Sequence, residues 1–270
     1  RSLPDLRNHS CVAGIDYAKT EDFVVAGLLF KIENKRYWIH HTWVCTKSRD
    51  LARVKYPLKE AEEEGVLTMV DDVEIDPEYI TDWLTEKSKL YKIESVVMDN
   101  FRQTWMRDAL KKIGFSDEKN NLKLIRPSDQ MKVAPVIGYM FARGLVAWGT
   151  SKIMRWYAWN VKAVTDKKGN VTYEKIEGRS RKTDGFMAFV AAVTDEERIK
   201  QRRIINEDEV LLQQKKKLIK KFKILFGICI LLSLTSFLYV LVNYKNMPDV
   251  IITHWGAGGK ADGYSQKNIV

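Results

Sequence analysis

Cys11-Val12-Ala13-Gly14-Ile15-Asp16 is an apolar run that stops on a carboxylate, and its reading decides the fold. Val and Ile favour a pleated, buried segment, so the run predicts a strand over Cys11 to Tyr17 with an acid at its end. Two other stretches share this plan. Ser95-Val96-Val97-Met98 ends on Asp99, while Arg181-Lys182-Thr183 leads into Asp184 and the apolar Gly185-Phe186-Met187-Ala188. Two strand ends and one helix start can bring three carboxylates, far apart in sequence, to one edge of a sheet. Any one of them alone reads most simply as a turn or cap residue.

Outward from this run, Phe23 to Ile32 and Arg36 to Cys45 are rich in β-branched and aromatic residues, with the turn signal Glu33-Asn34-Lys35 between them. The three segments predict an antiparallel meander. Asp76-Pro77-Glu78 supplies an N-cap, a first-turn proline and an early acid for a helix reaching Tyr91, followed by a strand over Glu94 to Asp99. Phe101 to Ile113, stopped by Gly114, predicts the next helix, and Leu122 to Ile125 the next strand. A meander followed by a parallel crossover is a mixed α/β sheet flanked by helices, the layout of a ribonuclease-H-like fold.

Net charge is +10 with a pI near 9.3, which invites a nucleic-acid reading of the whole chain. Of the 45 Lys and Arg and 35 Asp and Glu, 11 and 5 lie beyond residue 200, leaving 34 and 30 before it. The first part is therefore only mildly basic, and phosphate contacts would need a local patch. Cys11, Cys45 and Cys229 are too few and too scattered for a disulfide framework or a zinc site, and they suit a reducing compartment. His9, His40, His41 and His254 show no ligand spacing.

Phosphodiester hydrolysis needs an attacking water made nucleophilic and a leaving oxyanion stabilised, and two Mg²⁺ or Mn²⁺ ions about 3.5 to 4 Å apart do both. Such hard cations take oxygen ligands. Asp16, on a central strand, suits the bridging position, with Asp99 and Asp184 each completing the shell of one ion. These residues predict a metal-dependent nuclease.

The stretch Gly14-Ile15-Asp16-Tyr17-Ala18-Lys19-Thr20-Glu21-Asp22 resembles the opening of the nuclease domain of tailed-phage terminase large subunits, where a second acid follows the strand end. The resemblance continues through Val96-Val97-Met98-Asp99-Asn100. It closes with Asn160, Gly169-Asn170, Lys175 and Lys182-Thr183-Asp184-Gly185-Phe186-Met187-Ala188, and so spans about residues 10 to 195 in family order. It implies an endonuclease that cuts concatemeric phage DNA during packaging, with two metals held by Asp16, Asp99 and Asp184. By the same resemblance the portal protein and the small terminase subunit are its partners.

Asp22 is a weaker metal ligand candidate, with capping of the next strand as the alternative. Lys182 could orient a phosphate or tune Asp184, or be a solvated lysine. Gly185 is expected to allow close approach of backbone to the metal edge. Thr183 departs from the family pattern, where an apolar residue is common.

An ATPase motor would carry a phosphate loop. Gly144 to Gly149 has the glycine separation, but Thr150-Ser151-Lys152 follows where Lys-Ser/Thr is needed, so the motif fails and the motor is expected upstream of Arg1. Lys175, Arg179, Arg181 and Lys182, within a basic and aromatic stretch from Arg143, are the expected double-stranded DNA contacts. Trp156 and Trp159 read as core packing, and Asp166 to Asn170 as an exposed hairpin tip.

Ile224 to Val242 is nineteen residues without charge, about 28 Å as a helix, close to the roughly 30 Å core of a bilayer. Lys215, Lys216, Lys217, Lys220, Lys221 and Lys223 precede it and only Lys245 follows closely. A single transmembrane helix is expected, with the nuclease part in the cytoplasm and the chain anchored in a bacterial inner membrane, N-terminus inside. Beyond it, Met247-Pro-Asp to His254-Trp255 and Gly258 to Lys267 resemble the segment after the first membrane helix of the SdpI-type family of small bacterial membrane proteins.

The expected organisation is a linker remnant at 1–10, the nuclease at 11–195, a charged junction at 196–214, the span with its lysine flank at 215–245, and a truncated extracytoplasmic segment at 246–270. Two partial resemblances in one chain suggest a fusion of unrelated reading frames. The competing expectations are a membrane-anchored, non-enzymatic protein with a relic nuclease domain, or another ribonuclease-H-like nuclease such as a transposase or resolvase.

Overall fold

The computed structural model describes residues 2–17, 23–100, 104–177, 180–200 and 207–267, with only the backbone described over 207–214. Strands β1 (Ser10–Asp16), β2 (Phe23–Ile32) and β3 (Lys35–Cys45) form the antiparallel meander. Then follow α1 (Leu58–Glu63), β4 (Leu67–Val70), α2 (Pro77–Ser88), β5 (Lys92–Asp99), α3 (Thr104–Lys112), β6 (Leu122–Ile125), α4 (Pro127–Ala142) and β7 (Val146–Ala147). Next are α5 (Lys152–Trp159), β8 (Val161–Thr165), β9 (Val171–Lys175) and α6 (Asp184–Val193). The chain closes with α7 (Glu207–Asn243), β10 (Val250–Trp255) and β11 (Ala261–Gln266).

The main sheet has the order β4-β3-β2-β1-β5-β6, with β7 added beside β3. β5 runs parallel to β1 and β6 parallel to β5, so α3 is the crossover the sequence predicts. Strand alternation splits the core into two layers. Val12, Val25, Leu29, Trp38 and Val97 face one way and meet α5 and α6, whereas Ala13, Ile15, Ala26, Leu28, Val96 and Met98 face the other way and meet α2 and α3. This is the expected ribonuclease-H-like mixed sheet flanked by helices.

The Asp76 carboxylate accepts the Glu78 N–H and starts α2, as its position before Pro77 implies. α2 stops at Ser88 rather than Tyr91, because the Leu90 carbonyl accepts the Asn8 N–H and the chain turns there. The expected helix from Phe101 is seen from Thr104, residues 101–103 lying outside the described set, and Gly114 ends the turn after it at a φ of +96°.

Contacts divide the chain into two compact units, residues 1–202 and 203–270. The stretch read as a linker, 1–10, contributes the buried Leu6 and the hydrogen-bonded Asn8 to the first unit. At the other end Ile199 is buried, and Arg36 holds Glu196 through Nε and Nη2 at 2.9 and 2.8 Å. Residues 196–200 pack with the first unit.

In the second unit the helical stretch Lys215–Asn246 contains an 18-residue window of mean hydropathy 2.5, long and apolar enough to cross a membrane, and no part of that window is buried. β10 and β11 pair as an antiparallel hairpin, which the sequence reading did not anticipate. Lys267 ties the hairpin to the helix end, its Nζ donating to the Met247 carbonyl at 2.9 Å.

Candidate active site at the carboxylate edge

Asp16 ends β1 opposite Val25, which in turn lies opposite Thr42 of β3. Ile15 pairs with Met98 across the parallel β1–β5 ladder, so the next residues along, Asp16 and Asp99, end adjacent strands at the same edge. Alternation places Asp16 on the face of Val12 and Gly14, and Asp99 on the face of Ser95 and Val97. These are the same face, the one α6 covers.

α6 can lie this close because β1 carries Gly14. A Cβ there would stand 2.0 Å from the Ala188 carbonyl oxygen and 2.9 Å from the Ala192 nitrogen. Just beyond the C-terminal end of α6, Asp195 accepts the Ser95 hydroxyl at 2.6 Å, level with Val12 of β1 and four residues before Asp99. The helix thus runs against the direction of β1 and β5, and its first residue, Asp184, points back to the edge where Asp16 and Asp99 end. Asp184 is buried, its Oδ2 accepting the Thr183 N–H at 3.1 Å, and the helix N-terminus favours its negative charge.

Tyr157 of α5 links two of the acids electrostatically. Its hydroxyl lies 3.2 Å from Thr42 Oγ1, and its pKa is pushed well above the ordinary phenol range by burial first, then by the negative charge of Asp184, with a smaller push from Asp16. The phenol stays protonated throughout the working pH range. A Cβ at Gly185 would stand 2.3 Å from the Tyr157 ring, so glycine there admits the aromatic ring. Sequence reasoning missed Tyr157, which shares the buried face of α5 with Ile153 and Met154 and carries no motif of its own.

Lys182 is 2% exposed, which overturns the solvated alternative; its ammonium lies 5.7 Å from the Phe23 ring centroid. Arg181 donates to Asn160 Oδ1 at 3.2 Å and lies 3.6 Å from Glu177. The buried Asn160 also donates to the Lys182 carbonyl at 2.8 Å, clamping the segment that leads into Asp184. Lys175 ends β9 at the base of the β8–β9 hairpin, whose tip is the expected turn with Gly169 at a φ of +85°. Asp22 and Arg179 lie outside the described residues.

Several cations of the basic stretch already face acids: Lys152 pairs with Glu60 and Glu64, and Lys162 with Glu174. Trp156 packs against the core, but Trp159 is 70% exposed, contrary to the core reading. Gly144 and Gly149 take φ values of +62° and +66° around β7, in no phosphate-loop arrangement.

Among the described residues no group of three His, Cys, Asp or Glu stands ready to hold a metal ion. The residue types are those a hard divalent cation takes: Asp16 and Asp99 are carboxylates that end adjacent strands at one edge, and Asp184 is a carboxylate that starts α6.

This fold is similar to that of the HK97 bacteriophage large terminase, with a TM-score of 0.62 and 18% identity over 72% of this chain and 41% of that one. The large terminase nuclease from thermophilic phage G20c follows at a TM-score of 0.48 and 15% identity, over 72% of this chain and 86% of that one. This chain thus spans about two fifths of the length of the HK97 protein. No curated protein matches it. Residues 231–270 match a family described as a domain of unknown function, DUF1648. The first unit therefore carries a ribonuclease-H-like fold shared with a phage large terminase, and the tail matches a family whose function is unassigned.

Proposed function

We propose that the first unit is a divalent-metal-dependent DNA endonuclease of the phage terminase type, with Asp16, Asp99 and Asp184 as its metal-holding carboxylates. One observation carries this reading: adjacent parallel strands end in Asp16 and Asp99 on the face where α6 begins with Asp184. A fold alone hosts many functions, so the acids and not the architecture argue for hydrolysis.

Asp16 is fixed in the backbone by its pairing with Val25 of β2 and by the β5 ladder that reaches the preceding Ile15. Asp184 sits at the helix N-terminus, which favours negative charge, and the Asn160 clamp holds the segment that precedes it. Lys182, buried two residues away, sets a positive charge against this acidic cluster. Mg²⁺ or Mn²⁺ held by these residues would supply an activated water and stabilise the leaving oxyanion. Lys175, Arg179 and Arg181 would position the phosphate backbone without reading sequence. Asp22 is the further candidate ligand. Concatemeric viral DNA as the substrate, with portal protein and small terminase subunit as partners, is the finer form of the same proposal, supported by the order of the motifs.

The test is nicking of supercoiled plasmid by the full chain in detergent, with Mn²⁺ and with EDTA. Nicking that needs the metal and disappears in Asp184→Asn supports the reading. A folded protein that leaves the plasmid intact with Mn²⁺ overturns it.

A second proposal concerns the tail. The unburied apolar side chains of Lys215–Asn246 and the six lysines before Ile224 favour a bilayer anchor with the N-terminal side in the cytoplasm. Resistance of the full chain to carbonate extraction, with the first unit open to protease from the cytoplasmic side, is the expected result.

A further inference from the structure

α5 advances along the sheet toward the carboxylate edge. Its N-cap Ser151 meets His40, Oγ to Nε2 2.9 Å, and His40 shares a row with Gly27 and Gly14. Six residues later Tyr157 meets Thr42, which shares the row of Val25 and Asp16. Trp159, the last residue of α5, therefore stands at the edge itself.

Its indole is largely exposed, yet its backbone position is rigid. Asn160, next in the chain, is fully buried and clamped three ways: to the Lys182 carbonyl, to Arg181, and through its own carbonyl to the Ile176 N–H at 2.9 Å. Ile176, so attached, is half exposed as well. A large aromatic face exposed to water on an anchored backbone contributes little to folding, and exposed apolar surface of this kind marks contact sites. Exposed cations flank it: Arg155 lies one turn earlier on the same helix face, and Lys175 pairs with Val161 immediately after the clamp. An aromatic platform between cations at a carboxylate edge matches a nucleic-acid strand, whose phosphates meet the cations and whose bases have π-faces.

We propose that Trp159 is a stacking platform for an unpaired nucleobase of the strand held at the carboxylate edge, with Arg155 and Lys175 on the adjoining phosphates. The inference rests on the nuclease reading for the identity of that strand. It adds that the site takes a locally unpaired base, which gives a preference for single-stranded or frayed DNA over blunt duplex that depends on the indole.

The experiment measures binding of the full chain in detergent to a fluorescent single-stranded oligonucleotide and to its blunt duplex, in EDTA so that no cleavage intervenes. The proteins are the wild type, Trp159→Ala and Trp159→Phe. Trp159→Ala should weaken single-strand binding by about 5- to 150-fold, the range that stacking one base on an aromatic side chain supports, and duplex binding by less than about twofold. Trp159→Phe should restore most of the loss. Equal binding by wild type and Trp159→Ala, with unchanged melting, overturns the stacking proposal alone. Wild type that binds neither oligonucleotide overturns the nuclease reading together with it.

Discussion

α6 and α7 are both apolar helices, and they spend that apolarity in opposite ways. Every residue of α6 except Met187 is buried, pressed on β1 so tightly that position 14 admits only a glycine. In α7, Leu231, Phe237, Leu241 and their neighbours stand open, and an added Cβ at Gly227 would meet nothing within 4 Å. Ten residues suffice for a helix that shares a protein core, whereas the nineteen uncharged residues within α7, about 28 Å of helix, are long enough to cross a bilayer. Apolar composition therefore says that a helix leaves water; its length and the small residues facing it say where it goes.

The sharpest way to break this contrast is a matched pair of glycine substitutions. Gly14→Val should cost about 3 kcal/mol or more and collapse the first unit's thermal transition, because the obstacle is the Ala188 backbone and not a movable side chain. Gly227→Val should leave that transition in place, as read by differential scanning fluorimetry.

Leu232→Arg, at the middle of the exposed run, should oppose membrane insertion by about 2.5 to 3.5 kcal/mol and shift the chain toward the carbonate-extractable fraction. The melting of the first unit should not follow it. A variant that extracts like the wild type would break the assignment of α7 to lipid.

Acid should separate the two units further. His40 is buried with its Nε2 2.9 Å from Ser151 Oγ, and burial keeps the imidazole neutral. Burial, aided by His41, depresses its pKa to about 3, against about 6.5 for an exposed imidazole. The unfolded chain then binds the proton first. The stabilisation is complete above about pH 6.5 and is lost as pH falls toward 3, by up to about 1.4 kcal/mol per pH unit from this one group. Urea denaturation of the first unit at pH 7 and pH 5 should show the loss, and His40→Gln should flatten it.

The smallest effect is expected at the hairpin. Lys267→Met removes the hydrogen bonds to the Met247 and Lys245 carbonyls and the contact with the Tyr244 ring, and should loosen the β10–β11 pair by about 1 kcal/mol, seen as faster amide exchange in residues 250–266. The first unit should be untouched.

Much of the architecture was legible because burial writes itself into strand composition: β2 and β6 have the bounds their apolar runs imply, and Asp76 caps α2 as its place before Pro77 requires. The acids were legible as strand and helix ends, since a charge after a buried run has to be at an edge. Other features were hidden because they depend on partners distant in sequence. Helical spacing puts Trp156 and Trp159 near one another, but only the pose of α5 says that one is packed and the other open. Lys182 reads as one more lysine in a basic run until Phe23 and the Asn160 clamp enclose it. Leu6, a lone apolar residue without periodicity, gave no sign that the stretch before β1 packs into the domain.

The central claim is that the edge shared by β1, β5 and α6 is a metal-dependent cutting site, and the most direct measurement is the plasmid-nicking rate of Asp16→Asn beside the wild type in Mn²⁺. The exchange removes a charge and keeps the shape, so the variant should melt like the parent while nicking falls to the level seen with EDTA. Combining it with Asp99→Asn and Asp184→Asn should lower the rate no further, as expected of groups that act as one unit. Nicking by Asp16→Asn at the wild-type rate would contradict the account.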